Sequence, residues 1–187
     1  MSDVTQILDA ALRGDKLAAA ELLPLVYDEL RKLAAAKMAN EQPGHTLDAT
    51  ALVHEAYLRL TRGQSFESRS HFLRAAAEAM RRILVDHARA RNAAKRGGRR
   101  RIELELDHLA ILPQADGLEA LDKALSRFAD EHPQQAELVQ LKYFGGLTLE
   151  QCAEVLGVSS RTADTWWAYA RAWLSVALRS MEDSTGG

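Results

Sequence analysis

The stretch Leu147–Leu174, LTLEQCAEVLGVSSRTADTWWAYARAWL, decides how the chain is read. Thr148 followed three residues later by Gln151 forms a capping box, in which side chains take up the free N–H groups of a helix start. Gly157 ends that helix, and Ser159 is a good N-cap for the next one. A helix over 148–156, a tight turn over 157–159 and a second helix from Ser160 follow, a helix-turn-helix by spacing. Ala153 and Leu156 read as facing inward, Val158 as plugging the turn, and Thr162, Ala163, Trp167, Ala170 and Leu174 as the buried stripe of the second helix. That leaves Ser160, Arg161, Asp164, Thr165 and Ala168 outward, the positions that a helix in the DNA major groove turns toward base edges. Many helix pairs with a Gly turn are packing units only, so the motif alone leaves both readings open.

Upstream, the second half of the chain contains two more helical pieces. One covers about 117–130, and the next starts at Pro133, suited to a first helical turn, and stops at Gly145-Gly146. In the first half, Leu22, Leu25, Val26, Leu30 and Leu33 recur at helical spacing up to about Ala39, where Asn40–Gly44 break the pattern. A helix from about Asp48 to Leu60 has Leu52, Val53, Ala56 and Leu60 on one face, and a long helix from about Ser70 to Ala93 repeats Phe72, Leu73, Ala76, Met80, Ile83, Leu84 and His87. Between the halves, residues 96–116 begin with Arg96-Gly97-Gly98-Arg99-Arg100-Arg101 and read as a flexible linker, although the alternation over 102–106 also allows a short strand. The expected architecture is all-α: a helical domain over 1–95, the linker over 96–116, and a domain with the helix-turn-helix over 117–187.

Composition narrows the classes. Hydrophobic residues make up 47% and charged residues 27% of the 187, as in a soluble globular protein. The single Cys152 excludes an internal disulfide and a cysteine-rich zinc site, which fits a reducing cytoplasm. The first residues, MSDVTQILDAAL, lack the basic start and apolar run of a signal peptide, and no apolar stretch approaches the ~20 residues of a membrane span. The net charge of −2 hides an asymmetry: residues 81–101 carry nine basic side chains against Asp86, a net of +8, whereas 102–187 carry six basic and fourteen acidic, a net of −8. Such a band points to a polyanionic partner or to an intramolecular acidic one; a merely solvated charge run is the alternative. In the free protein the band is expected to associate with the acidic C-terminal part, screened within about 10 Å at ordinary ionic strength.

The segments ELLPLVYDELRKLAAAKM (21–38), PGHTLDATALVHEAYLRL (43–60), SHFLRAAAEAMRRILVDHARARNAAKRGG (70–98) and YFGGLTLEQCAEVLGVSSRTADTWWAYARAWL (143–174) together resemble the ECF (extracytoplasmic-function) sigma factors of bacterial RNA polymerase, and more narrowly a subgroup with the LVHEAYLRL and MRRILVDHAR signatures. The resemblance spans about residues 5–180. It implies a first domain that binds the clamp helices of the polymerase core and opens the −10 element, and a second that binds the flap and reads the −35 element. It places the clamp-binding helix at Thr50–Leu60, the −10 reader at Ser65–Phe72 and the helix to Arg91, and the −35 reader at Ser159–Arg171.

No catalytic group is needed for promoter opening. The requirements are a pocket for a base that has left the stack and cations along the displaced strand. For the −10 strand the candidates are Ser65, Phe66, Glu67, Ser68, Arg69, His71, Arg74, Arg81, Arg82, Arg89 and Arg91. Phe66 and Phe72 offer aromatic surface, the arginines phosphate contacts, and Ser65, Glu67, Ser68 and His71 hydrogen bonds to a flipped base. Phe72 is better read as core; for Phe66, in a polar loop, both roles stay open. For polymerase the candidates are Leu52, His54, Glu55, Tyr57, Leu58 and Arg59, with Leu52 better read as core. For −35 DNA they are Ser160, Arg161, Thr162, Asp164, Thr165, Trp166 and Arg171.

One departure from the subgroup stands out. Its members usually place basic residues early on the −35 helix, where this chain has Asp164, Thr165 and Trp166, with only Arg161 and Arg171 basic. Affinity for DNA depends on the number of phosphates neutralised, so this half alone should bind duplex poorly. Asp164 suits a cytosine amino group or else repels the backbone. Trp166, next to the inward Trp167, is expected to point outward, toward thymine methyls or a protein partner.

Three other readings compete. A sigma-like module could sequester an anti-sigma protein without starting transcription, an idea favoured by the acidic half and Trp166 and opposed by the basic helix; an anti-sigma protein is a candidate partner in either case. A polymerase-independent repressor leaves the first half unexplained. An enzyme has little support: His54-Glu55 lacks the second His of a zinc protease motif, the six His are scattered, and no Gly-rich phosphate loop follows a strand. No catalytic residue, metal or cofactor is expected.

Overall fold

The computed structural model describes residues 49–61, 66–94 and 115–185, together with Lys32. All regular structure among these is helical: α1 (Ala49–Thr61), α2 (Arg69–Ala94), α3 (Ala115–Glu131), α4 (Pro133–Val139), a π-helical turn (Gln140–Phe144), α5 (Leu149–Leu156) and α6 (Ser160–Thr185). The expected helix over 22–39 and the alternating stretch 102–106 lie outside the described residues.

Helix α2 is the centre of the molecule. A helix with one neighbour buries a single stripe. Here Phe72, Ala76, Met80 and Ile83 form one buried row, and Leu73, Ala77, Leu84 and Ala88 form another beside it. The width is used on both sides: α2 packs against α1, and also against α3 and the π-helical turn. Leu52, Val53, Ala56 and Leu60 of α1 and Leu118, Leu121, Leu125 and Phe128 of α3 therefore belong to one continuous apolar core with α2. Each fully buried side chain of the size of Phe72 or Phe128 contributes roughly 2–3 kcal/mol.

The π-helical turn comes from crowding. Leu138, Val139, Leu141, Tyr143 and Phe144 are all buried, too many for one α-helical stripe. The N–H of Gly145 reaches back five residues to the Gln140 carbonyl at 3.1 Å, which shifts the phase of the helix. Gly145 itself is a close-approach site. A Cβ there would stand 2.5 Å from the Leu141 carbonyl oxygen and 3.1 Å from Cβ of Ala77 on α2.

The punctuation of the C-terminal helices is as the sequence predicts. Thr148 Oγ1 accepts from the Gln151 N–H at 3.2 Å while Gln151 Oε1 accepts from the Thr148 N–H at 2.9 Å. Gly157 adopts the left-handed conformation (φ 68°). The Val158 N–H then bonds the Ala153 carbonyl and the Gly157 N–H the Glu154 carbonyl, a Schellman ending. Ser159 Oγ accepts from the Thr162 N–H at 3.1 Å and caps α6. Helix α3 starts two residues before the expected boundary, and Gly117 is buried within its first turn.

Candidate nucleic-acid interface

The start of α2 is built by its own polar residues. Ser68 Oγ accepts from the His71 N–H at 3.1 Å, and His71 Nδ1 accepts from the Glu67 N–H at 3.3 Å. Ser68 and His71, two of the four side chains proposed for a flipped base, thus also take up backbone N–H groups at the start of α2. Phe66 is half-buried and stands edge-on to Phe72 and His71, with ring centroids 5.3 Å and 5.7 Å apart. Phe72 is fully buried, so its ring is core and not a stacking surface. Ser65 lies outside the described residues, and Arg91 is on α2 with a side chain outside them. Arg69 is half-buried.

The remaining arginines of α2 divide into one exposed and three occupied. Arg82 is 69% exposed and pairs with Glu78 one turn earlier on its own helix. Arg81 is only 17% exposed and all three nitrogens of its guanidinium are engaged. Nε donates to Asp122 Oδ1 at 2.8 Å, Nη1 to Gln140 Oε1 at 3.0 Å, and Nη2 to the Asp122 carbonyl at 3.1 Å and Ser126 Oγ at 3.0 Å. Beneath it lies the ring of Phe144, 5.9 Å from Cζ. Asp122 is 19% exposed, and its second oxygen faces Arg89 Nη2 at 3.3 Å. At the other end of the helix Arg74 Nε meets Glu137 Oε1 at 2.6 Å, and its Nη2 donates to the Val155 carbonyl at 3.2 Å. Asn92 closes the row on Glu119 at 2.8 Å. Sequence reasoning missed Asp122 and Glu137 as residues of this surface. The available signals were the +8/−8 split and the position of Asp122 one residue from Leu121 at the edge of the α3 stripe.

On α1, His54 and Arg59 are exposed, Leu58 is 42% exposed, and Glu55 is half-buried. Leu52 has no exposed surface and serves the core, which corrects its place among polymerase contacts. Tyr57 is on α1 with a side chain outside the described residues. Arg59 bridges Glu55 at 3.1 Å and Asp86 of α2 at 3.4 Å, and His87 Nε2 meets Glu55 Oε2 at 3.2 Å.

On α6, Ser160, Arg161, Asp164, Thr165 and Ala168 are all exposed, in agreement with the sequence periodicity. Ala163, Trp167, Ala170 and Leu174 are buried, while Thr162 and Arg171 are half-buried. The Thr165 hydroxyl donates to the Arg161 carbonyl at 2.9 Å. Trp166 does not project freely. It is half-buried and packed against the core, a correction that follows from the breadth of the apolar face of α6, which also takes in Trp173.

Burial pushes the thiol of Cys152 up to about 12, against a smaller lowering by Lys142. It is a core residue on α5. Among the described residues no three metal-ligating side chains cluster, and no helix is long and apolar enough to cross a membrane.

Comparison with known proteins matches residues 1–180 to the ECF sigma factor family, whose members are transcription regulators rather than enzymes. No curated protein and no solved structure matches the chain. With nearly its whole length covered, the chain belongs to the ECF sigma factor family and has a sigma factor's role in transcription initiation, with RNA polymerase core and promoter DNA as the partners that role implies.

Proposed function

We propose that the chain directs polymerase core to specific promoters, with α2 holding the melted −10 strand and the outward face of early α6 meeting −35 DNA. The observation that carries this reading is the arrangement of α2. Its apolar rows fix it in the core while Arg74, Arg81, Arg82 and Arg89 stand along its polar sides. Spaced cations on a rigid helix suit a phosphate backbone, and arginine's planar fork suits it better than lysine. Phe66, half-buried beside His71, supplies an aromatic edge at the end of that row. His54, Leu58 and Arg59 on α1 form a mixed polar and apolar patch suited to the polymerase clamp. The division into units 1–95 and 117–187 joined by 96–116, and docking of the second unit on the flap, are parts of the same proposal.

Run-off transcription with polymerase core on a library of genomic fragments tests it. The wild type should stimulate a subset of fragments. Arg82→Ala, on an exposed residue with little structural role, should reduce that stimulation by roughly tenfold through a lost phosphate contact. A protein that binds core and stimulates nothing contradicts the proposal.

A further inference from the structure

Asp164 has no structural duty in the fold. It lies beyond the first turn of α6, where Ser159 already acts as the cap by accepting from the Thr162 N–H at 3.1 Å. Its side chain is exposed and, among the described residues, holds no hydrogen bond or ion pair. Arg161, three residues earlier, is equally exposed and equally free of such partners. Residues at this spacing on a helix are within reach of each other, yet these opposite charges do not pair. On α1 and α2, by contrast, Arg59, Arg74, Arg81, Arg82 and Arg89 all face carboxylates.

The neighbours of Asp164 present methyl groups. The Thr165 hydroxyl donates to the Arg161 carbonyl at 2.9 Å, so its proton is used inside the helix and its methyl is what remains for a partner. Ala168 adds a second exposed methyl one turn beyond Asp164. On the opposite side of α6, Ala163, Trp167 and Ala170 are buried, and Lys142 Nζ stands 5.8 Å from the centre of the Trp167 ring. A short acid is thus carried on a helix fixed to the core.

Resting on the reading of early α6 as the −35 reader, we infer that Asp164 selects cytosine in that element. A carboxylate only accepts hydrogen bonds. In the major groove guanine shows it N7 and O6, and thymine shows it O4, all acceptors that repel it. Adenine offers its N6 amino group but sets the N7 acceptor beside it. Cytosine alone presents an amino group, N4, with no acceptor of its own next to it. Near the phosphate backbone the same charge costs affinity, so it contributes only where a cytosine meets it. The methyls of Thr165 and Ala168 suit a thymine methyl beside that cytosine.

The test uses the full chain with polymerase core on a promoter library whose upstream element is randomised, with transcripts counted by sequencing. Wild type should favour cytosine at one upstream position by about fivefold over the other bases. Asp164→Asn keeps the shape but offers a donor and an acceptor together, the pair that adenine N7 and N6 require. The preference at that position should therefore move from cytosine to adenine, a change of letter that a merely structural role does not produce. Identical base preferences for wild type and Asp164→Asn overturn the inference. So does a uniform gain of Asp164→Asn on every sequence, which marks the carboxylate as a source of backbone repulsion only. Arg161→Ala separates this inference from the reading beneath it. If Arg161→Ala changes the upstream preferences and Asp164→Asn does not, the role of Asp164 alone fails. If both leave them unchanged while transcription still requires the chain, the reading of α6 as the −35 reader fails as well.

Discussion

The polar side of α2 and the outward face of early α6 are opposites. Along α2 the cations are dense and paired: Arg81 keeps 17% of its surface, with hydrogen bonds at Nε, Nη1 and Nη2, and the exposed Arg74, Arg82 and Arg89 each meet a carboxylate. Along α6 the surface is open and nearly without cations: Ser160, Arg161, Asp164 and Thr165 are exposed, and Asp164 offsets Arg161. Where cations are concentrated they already face carboxylates; where the surface is free of such pairs, cations are few.

The contrast can be broken most forcefully at the core beneath the paired side. Phe144 is fully buried under Arg81, and Phe144→Ala should cost about 3–5 kcal/mol and lower the melting temperature by roughly 10 °C. The whole molecule should melt in one shifted transition, because α2 and the C-terminal helices share a core. Two transitions, with only one displaced in calorimetry, would show that they do not.

A finer comparison sets Arg81→Lys against Arg161→Ala. Lysine keeps the charge but loses the fork that reaches Asp122, Gln140 and Ser126 together, so Arg81→Lys should cost about 2 kcal/mol in urea unfolding. Arg161→Ala, on the open side, should stay within about 0.5 kcal/mol. Equal effects would erase the distinction between paired and open surfaces.

The smallest effect concerns Cys152. With its thiol at about 12 instead of the 9.0 of a free cysteine, the folded state holds its proton more tightly than the unfolded chain. Its contribution to stability is therefore whole below pH 9 and declines as pH rises toward 12. Native protein at pH 8 should react with a thiol reagent only as fast as it unfolds, and rapid labelling would show that α5 opens locally.

Elements with local chemistry were legible in the sequence. The Thr148–Gln151 box, Gly157 and Ser159 mark the ends of α5 and α6, and periodicity alone places all five outward residues of early α6. What was not legible depends on distant partners. The pairing of Arg81 with Asp122 joins positions 41 residues apart, and the charge totals indicate only that some such pairing exists. The π-helical turn comes from tertiary crowding at Ala77 and Gly145, which no run of residues records. Leu52 carried two readings, core the better one, because periodicity does not resolve positions at the edge of an apolar stripe. Trp166 was misjudged from its neighbour, since a wide apolar face accepts both tryptophans.

The proposed function depends on α2 holding a melted strand once polymerase is bound. The direct measurement is fluorescence anisotropy of a labelled single-stranded promoter oligonucleotide titrated with wild-type protein, in the presence and absence of polymerase core. The account predicts firm retention with core and weak binding without it. Equal retention in both conditions, or none in either, would contradict it.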